Sequence, residues 1–376
     1  NFSSGINYYR ESTVFPGNSS SNRFNAYSGI AYKSPDKKLD LSISSSYASD
    51  KSDLIQEDLT QYINLPPVLP ELYDSLGRLN WSDGGFSFVN PLSATLQVNK
   101  VITDRFTANS LIQYIFLPNL SAKISAGYNQ LNTDEYNNVP IAAQDPSITP
   151  TGTAFFGTNV VKSWILEPQV DYKFNINPKL RIQTMLGATL QENKGKLVGI
   201  SATGYTNDRL LGSVANASSL TIQNHNELYR YSALYGRVNL NWEDKYLFNF
   251  TARRDGSSRF GSGNQFANFG AAGIAWIFSK EKFIANDFSF LSFGKLRFSY
   301  GTTGNDLIGN YQYLDSYSPT RFAYQGIPSL FPTKLYNSEY SWEQIRKINI
   351  GLELGFLNER ILLTADWFSN RSSNQI

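Results

Sequence analysis

Charged and polar side chains are concentrated in one segment, whose sequence is RRDGSSRFG. It consists of Arg253, Arg254, Asp255, Gly256, Ser257, Ser258, Arg259, Phe260 and Gly261. Asp255 and Arg259 carry the opposite charges of a substrate-binding pair, although a structural salt bridge is the simpler interpretation. A phosphate-binding loop at Gly261–Gly263 is disfavoured, because no Lys-Ser/Thr pair and no helix follow. With glycines at 256, 261 and 263 to permit tight backbone angles, the segment predicts the end of a strand and a turn.

The remaining candidates for chemistry are weaker. The chain has no Cys and one His, His225, in a polar segment predicted to be a loop. A lone His without partner ligands is more often a surface residue than a metal ligand. The acidic residues Asp50, Asp53, Glu57 and Asp58 lack the alternating spacing and central Gly of a calcium loop. We assign no catalytic residue, cofactor or metal, leave the substrate-binding residues unassigned, and leave open a calcium site assembled from distant loops.

The composition indicates a chain with one polar and one apolar side. Its 376 residues include 33 Lys plus Arg and 31 Asp plus Glu, and this near neutrality argues against a nucleic-acid partner. Charged residues make up 17%, below the usual globular value of about 25%, while aromatic residues reach 14%. The sequence contains no run of about 18 apolar residues, so no transmembrane helix is predicted. Residues 1–10 do not resemble a signal peptide, and we expect the chain to begin within a strand.

Alternation of apolar and polar residues is the main structural signal. From Leu180 to Gln191 the even-numbered residues are mostly apolar and the odd-numbered ones mostly polar. Side chains of a strand point alternately to opposite faces, so this segment predicts a strand with one apolar and one polar face. The same pattern recurs at 39–47, 120–129, 164–174 and 348–356. Segments of about 9 to 13 residues are long enough for a tilted strand to cross a bilayer.

The predicted connections alternate between short and long. Short turns are expected at 34–38, 117–119, 175–179, 243–245 and 357–360, and long loops at about 50–100, 131–160, 192–228 and 302–342. Short turns at one end and long loops at the other are typical of outer-membrane β-barrels. We therefore predict an all-β fold, an antiparallel transmembrane β-barrel segment of about a dozen strands that occupies residues 1–376. A short helix is predicted at Ser279–Asn286.

Aromatic residues lie near the ends of the predicted strands. Trp242 and Tyr246 flank the turn at 243–245, while Trp164 and Trp367 lie towards the opposite strand ends. Amphipathic rings are expected where a barrel meets the lipid head groups, although aromatic residues are common in any strand. We interpret these four residues as parts of two membrane girdles.

The polar strand faces would line the lumen of the barrel. Their charges mix both signs, so no single ionic substrate is indicated; the residues are Lys123, Glu167, Asp171, Arg181, Arg297 and Glu353. Aromatic loop residues could stack on a sugar or a peptide, or could pack the loops together; they include Tyr62, Trp81, Tyr205, Tyr313 and Tyr324.

From Tyr229 onward the sequence resembles the SusC/RagA type of TonB-dependent outer-membrane transporter. The resemblance is strongest at Tyr246–Trp276, which contains RRDGSSRFG. It continues through Lys295–Asn310 (KLRFSYGTTGNDLIGN) and Trp342–Phe368. Upstream it is looser but persists, as at Ser163–Tyr172. It therefore covers nearly the whole chain.

The resemblance implies a barrel of roughly 22 strands around an N-terminal plug that engages TonB. This chain would be about half of such a barrel without the plug, and we expect an open, curved sheet that another segment closes. The implied function is import of an oligomeric nutrient, a glycan or a peptide, across the outer membrane of a Gram-negative bacterium. A SusD-like lipoprotein would cover the extracellular loops, and no reaction would be catalysed.

Two other classes remain open. A passive porin or secretion channel would be encoded without a plug. A soluble, secreted all-β protein that binds or hydrolyses carbohydrate would dissolve without detergent, and a hydrolase would show paired carboxylates facing one cleft.

Overall fold

Long antiparallel strands dominate the computed structural model, which describes residues 1–66, 68–288, 290–320, 325–327 and 329–375. In chain order the strands are β1 (Phe2–Ser12), β2 (Ser20–Lys33), β3 (Leu39–Asp53), β4 (Ser82–Asp83), β5 (Phe86–Ser87), β6 (Val98–Leu117), β7 (Leu120–Val139), β8 (Gly152–Asn177), β9 (Leu180–Tyr205), β10 (Ser219–Trp242), β11 (Tyr246–Ser257), β12 (Phe266–Trp276), β13 (Leu291–Asn305), β14 (Ser316–Pro319), β15 (Leu330–Lys334), β16 (Glu343–Phe356) and β17 (Ile361–Ser373). Two short pairs, β4–β5 and β14–β15, are hairpins within loops.

The other 13 strands form one sheet in the order β1-β2-β3-β6-β7-β8-β9-β10-β11-β12-β13-β16-β17. Each strand pairs antiparallel with the preceding and following strands of the sheet. The first and last strands are the edges, so the sheet is open within the described residues. The predicted number of about a dozen strands is confirmed.

Residues of like polarity lie opposite each other across the sheet, which gives it two chemically different faces. One row across five strands consists of Leu240, Phe248, Ile274, Phe298 and Ile350. We call the face that carries this row the apolar face and the opposite one the polar face. Large side chains of the apolar face remain exposed in the chain itself, for example Phe250 at 46% and Ile274 at 50%. Exposure of contiguous apolar surface on this scale fits contact with lipid rather than water.

Turns at one end of the sheet are short, as predicted, and we call this the inner end. They lie at 34–38, 118–119, 178–179, 243–245 and 357–360. In the turn at 243–245 Glu243 and Asp244 have φ of 55° and 59°, the left-handed pair of a type I′ hairpin turn. The predicted short helix is confirmed as α1 (Lys282–Asp287), in the one longer connection at this end. No helix in the described part of the chain is long and apolar enough to span a bilayer.

Strands at the opposite, outer end continue well beyond their predicted limits. β8 and β9 have 26 residues each. At about 3.3 Å per residue each extends about 85 Å, far more than the about 30 Å thickness of a bilayer core. These hairpins therefore project beyond the apolar band.

Two predicted loops were consequently wrong in their bounds. The expected loop at 131–160 shrinks to 140–151 and that at 192–228 to 206–218, while the other two become 54–97 and 306–342. The reason is physical: outside the apolar band neither face needs to be hydrophobic, so pairing continues without alternation. His225 accordingly lies in β10, with its side chain 70% exposed, and not in a loop.

Candidate functional site

The RRDGSSRFG segment lies at the outer end of β10–β12, and several of its side chains are buried there. β11 extends through Ser257, so Arg253–Ser257 is strand, and the turn to β12 occupies 258–265. Asp255 is 7% exposed, Ser257 3% and Phe260 0%. The segment is therefore part of a packed core at the outer end and not a freely exposed loop.

Asp306, at the start of the last long loop, accepts hydrogen bonds from two distant strands. Its Oδ2 accepts from the Tyr229 hydroxyl in β10 and from Ser257 Oγ in β11, each at 2.8 Å. Arg259 Nη1 donates to the Asp306 carbonyl at 2.9 Å, and Arg259 Nε donates to Asn310 Oδ1 at 3.0 Å. Since the Arg259 guanidinium also lies 4.4 Å from the centroid of the Tyr229 ring, these groups hold the loop against the sheet.

The predicted ion pair between Asp255 and Arg259 is wrong. Asp255 accepts from Arg253 two positions away on the same face of β11, and Arg253 also donates to the Tyr231 hydroxyl. Arg259 is 3.8 Å from Asp306 Oδ1 instead. Alternation along β11 places Arg253 and Asp255 side by side, whereas Arg259 lies past the strand end and turns towards the last loop.

Three aromatic side chains close this cluster. Phe260 and Phe269 pack against Trp342, with ring centroids 5.3 Å and 5.7 Å from the indole. The Trp342 Nε1–H donates to the Gln265 carbonyl at 3.1 Å, so its polar group is satisfied. Trp342 directly precedes β16, so it fastens the far end of the 306–342 loop to the outer end of the sheet. Asp306 fastens the start of the same loop there.

Gly256 and Gly261 fit their positions because they lack a side chain, and not because their backbone angles are unusual. Only Gly263 has a positive φ, +96°, whereas Gly256 and Gly261 do not. A Cβ at Gly256 would collide with the Phe266 ring, and one at Gly261 would lie 3.1 Å from Tyr313. The prediction that these three glycines permit backbone angles unfavourable to other residues is thus confirmed for Gly263 alone.

The polar face carries two concave regions. One, of about 620 Å³ towards the inner end, is lined by Lys173, Arg181, Gln183, Asn239, Asn249 and Arg297 among others. The other, of about 540 Å³, lies beneath the outer cluster and is lined by Tyr235, Arg237, Arg253 and Phe269 among others. Arg237 Nε is buried and has no hydrogen-bond acceptor among the described residues, whereas Arg297 Nε lies 3.5 Å from Glu353 Oε1. The predicted mixture of charges includes the pairing of Lys295 with Glu353 at 3.1 Å.

Aromatic residues form a belt at the inner end of the apolar face. Trp242 and Tyr246 lie with ring centroids 5.4 Å apart, and Trp276 lies opposite Tyr246 in the next strand. Glu281, in the connection before α1, accepts from Tyr246 Oη at 2.7 Å, Lys245 Nζ at 3.0 Å and Trp276 Nε1 at 3.3 Å. The Tyr246 and Lys245 hydrogen bonds lower the pKa of the Glu281 carboxyl. Sequence reasoning missed Trp276, although its place at a strand end next to Phe278 was a usable signal.

The two tryptophans assigned to the second girdle lie in different surroundings. Trp164 is opposite Glu192, where charged side chains begin on the apolar face. Trp367 is opposite Ile350, within the apolar row described above. The structure does not bring them into one row, and their role in a girdle stays a prediction.

The aromatic residues considered for ligand stacking are also dispersed. Tyr205 is fully buried with Ala154, Ala202 and Leu211, so it packs the outer end of β8–β9 and is not available to a ligand. Tyr62 donates to Glu57 at 2.6 Å. Tyr324 lies outside the described residues.

Comparison with known proteins places these features in a family. The family described as TonB dependent receptor-like, beta-barrel matches residues 58–376. TonB-dependent receptor P3 of Formosa agariphila is 27% identical over 314 residues, 81% of this chain and 30% of that protein. TonB-dependent receptor SusC of Bacteroides thetaiotaomicron is 29% identical over 308 residues, 76% of this chain and 29% of that protein.

Among solved structures, that of the RagAB peptide transporter superimposes on 99% of this chain with a TM-score of 0.77 at 22% identity, and the match covers 42% of that chain. The likeness at this identity concerns the fold. The chain spans about three tenths of the length of the curated relatives that it matches.

Proposed function

This chain belongs to the TonB-dependent receptor-like β-barrel family, and we propose that it forms the barrel wall of an importer of oligomeric nutrients in the outer membrane. Barrels of this family lie in the outer membrane of Gram-negative bacteria, and the relatives are named as receptors rather than enzymes. The proposed cargo is a glycan or a peptide. The RagAB peptide transporter, whose fold this chain shares, supports a peptide cargo by analogy.

The observation that carries the proposal is the difference between the two faces together with the anchored outer loop. The apolar face would meet lipid, while the polar face offers two concave regions of about 620 Å³ and 540 Å³ that are lined by polar and charged side chains. A plug or a cargo molecule in the lumen would find hydrogen-bond partners there.

We propose two protein partners. A SusD-like lipoprotein would rest on the outer loops, of which 306–342 is held at both ends by Asp306 and Trp342. A fixed loop is a better docking platform than a free one, because less conformational entropy is lost on binding. The second partner is the TonB complex, which would act through a plug that other residues of the receptor contribute.

Uptake measurements test the importer against the passive channel. Labelled oligosaccharides and peptides are offered to cells that carry the receptor containing this chain, with and without functional TonB. We expect accumulation only with TonB, since transport against a closed plug requires energy. Equal uptake in both strains would identify a passive pore.

A loop variant tests the docking platform separately. Asp306→Ala should weaken association with the lipoprotein in a pull-down, while Asp315→Ala, an exposed acid of the same loop, should not. Equal association of the two variants would contradict the role of the anchored loop.

A further inference from the structure

The apolar face ends, at its outer border, in a row of basic residues. Trp164 in β8 lies opposite Glu192 in β9, and Arg230 in β10 also lies opposite Glu192. The basic residues along this border of β8–β17 are Lys162, Lys194, Lys196, Arg230, Arg254, Arg346 and Arg371, which we call the basic rim. Within the described part of these strands, Glu192 is the only acidic residue on this face at the rim.

The charges of the basic rim are not balanced. Glu192 accepts from Lys194 Nζ and from Arg230 Nε, each at 2.7 Å, and so both of its oxygens are used. Lys162 lies directly opposite Lys194, and like charges in this position destabilise a strand pair. Lys194 and Arg230 are 57% and 64% exposed. Since Glu192 already pairs with Lys194, Lys162 is the cation of this pair that has no acidic partner among the described residues, and an anion placed beside it would offset its repulsion with Lys194.

A cavity of about 310 Å³ opens beside these charges on the same face. Trp164, Leu190 and Phe266 contribute its apolar wall, and Arg230 lines it together with the Glu192 carboxylate to which it is paired. The combination of a ring-lined apolar pocket and adjacent cations suits a molecule with both a phosphate group and an apolar or sugar portion.

The height of the basic rim matches the edge of the bilayer. Along β8 the segment from Trp164 to the inner turn at Asn177 is about 43 Å long at about 3.3 Å per residue. With the usual strand tilt of about 40° this corresponds to about 33 Å along the membrane normal. A bilayer core is about 30 Å thick. Lys162 and Lys194, two residues further out along their strands, therefore lie at the level of the outer head groups.

We propose that the basic rim around Trp164 binds the phosphate groups of an outer-leaflet glycolipid. Each cation at head-group level raises the affinity of the protein for an anionic surface about fivefold. The indole of Trp164 and the adjacent pocket would contact the sugar and the first acyl segments. The site is on the lipid side of the barrel wall, so it is separate from the lumen.

Binding of a phosphorylated lipid A to the purified receptor in detergent tests this proposal. The probes are that lipid, the same lipid without its phosphates, and inorganic phosphate. For Lys162→Gln/Lys194→Gln we expect about thirtyfold weaker binding of the phosphorylated lipid and unchanged binding of the dephosphorylated one. Lys162→Arg/Lys194→Arg should retain affinity. Lys33→Gln, an exposed lysine at the inner end, should behave as wild type.

Three results would overturn the proposal. One is equal affinity of the Gln double variant and wild type for the phosphorylated lipid. Another is inorganic phosphate binding as tightly as the lipid, which would indicate a site for a free anion. The third is a change of oligomeric state in the Gln double variant with unchanged lipid binding, which would make the rim a contact between copies. The shift in electrophoretic mobility on boiling verifies that each variant is folded.

Discussion

The two ends of the sheet each place one carboxylate among tyrosine and basic donors, but they do so over very different distances in the chain. At the inner end Glu281 collects Tyr246, Lys245 and Trp276, and the strands around it are joined by nearby turns. At the outer end Asp306 collects Tyr229 and Ser257, which are 77 and 49 positions away. The same kind of group therefore serves a local and a long-range purpose.

This difference shows how the barrel wall and the loops are stabilised separately. The inner belt follows from the hairpin registers, since Trp242, Tyr246 and Trp276 are brought together by pairing alone. The outer cluster requires a loop to return to the sheet, and it adds a buried aromatic core of Phe260, Phe269 and Trp342. Damage to the outer cluster should release a loop, whereas damage to the inner belt should leave the sheet in place.

Removal of the buried aromatic ring should have the largest effect. Phe260→Ala deletes a fully buried side chain, and large-to-small changes of this kind cost about 3–5 kcal/mol. We expect faster hydrogen exchange in residues 306–320 and 329–342, while exchange in β6–β9 stays unchanged. Phe266→Ala, a ring that is 54% exposed at the start of the next strand, is the control. Equal exchange in the two variants would show that the aromatic core does not hold the loop.

Loss of the outer carboxylate should come next. Asp306→Ala leaves the Tyr229 and Ser257 hydroxyls without their acceptor, at a cost of about 2 kcal/mol. Asp306→Asn should recover part of this, because one acceptor oxygen remains. Glu281→Ala should not alter exchange in the 306–342 loop. Faster exchange in that loop in Glu281→Ala would show that the two ends of the sheet are not stabilised independently.

A methyl group at Gly256 should have a moderate effect. Its Cβ would collide with the Phe266 ring at the outer end, and overpacking typically costs about 1–3 kcal/mol. We expect a lower melting temperature for Gly256→Ala. Gly212→Ala is the matched control, since no atom lies within 4 Å of an added Cβ there. Equal melting temperatures of the two variants would mean that Phe266 moves aside freely.

The smallest expected effect is a pH dependence at the inner end. The Tyr246 hydroxyl and the Lys245 ammonium hold the pKa of Glu281 below its ordinary value of 4.5. A lowered pKa in the folded protein means that the carboxylate stabilises the fold above about pH 4.5, and that this contribution fades as the pH falls through the lowered pKa. The melting temperature of Glu281→Gln should therefore lie below that of wild type near neutral pH and approach it in acid. A difference that does not shrink as the pH falls would show that charge at Glu281 is not the cause.

Much of the sheet was predictable because its determinants are local. Alternation in segments such as Leu180–Gln191 defined the faces, and Trp242 and Tyr246 marked the inner border next to a short turn. The same criterion failed beyond the apolar band, where His225 and the outer halves of β8 and β9 form strands without alternation. There the strands are held by backbone pairing to their neighbours, which no single segment reveals.

The sequence by itself determined which face of the alternating strand segments is apolar and which end of the sheet carries the short turns. Strand periodicity and turn residues act over a few neighbouring positions, and they can therefore be recognised from the sequence alone. Only the tertiary structure decided that Asp255 pairs with Arg253, that Arg259 turns to Asp306, and that Lys162 faces Lys194 beside Trp164. These contacts depend on the register of the sheet and on the path of a long loop, and both are set by the packing of residues far apart in the chain.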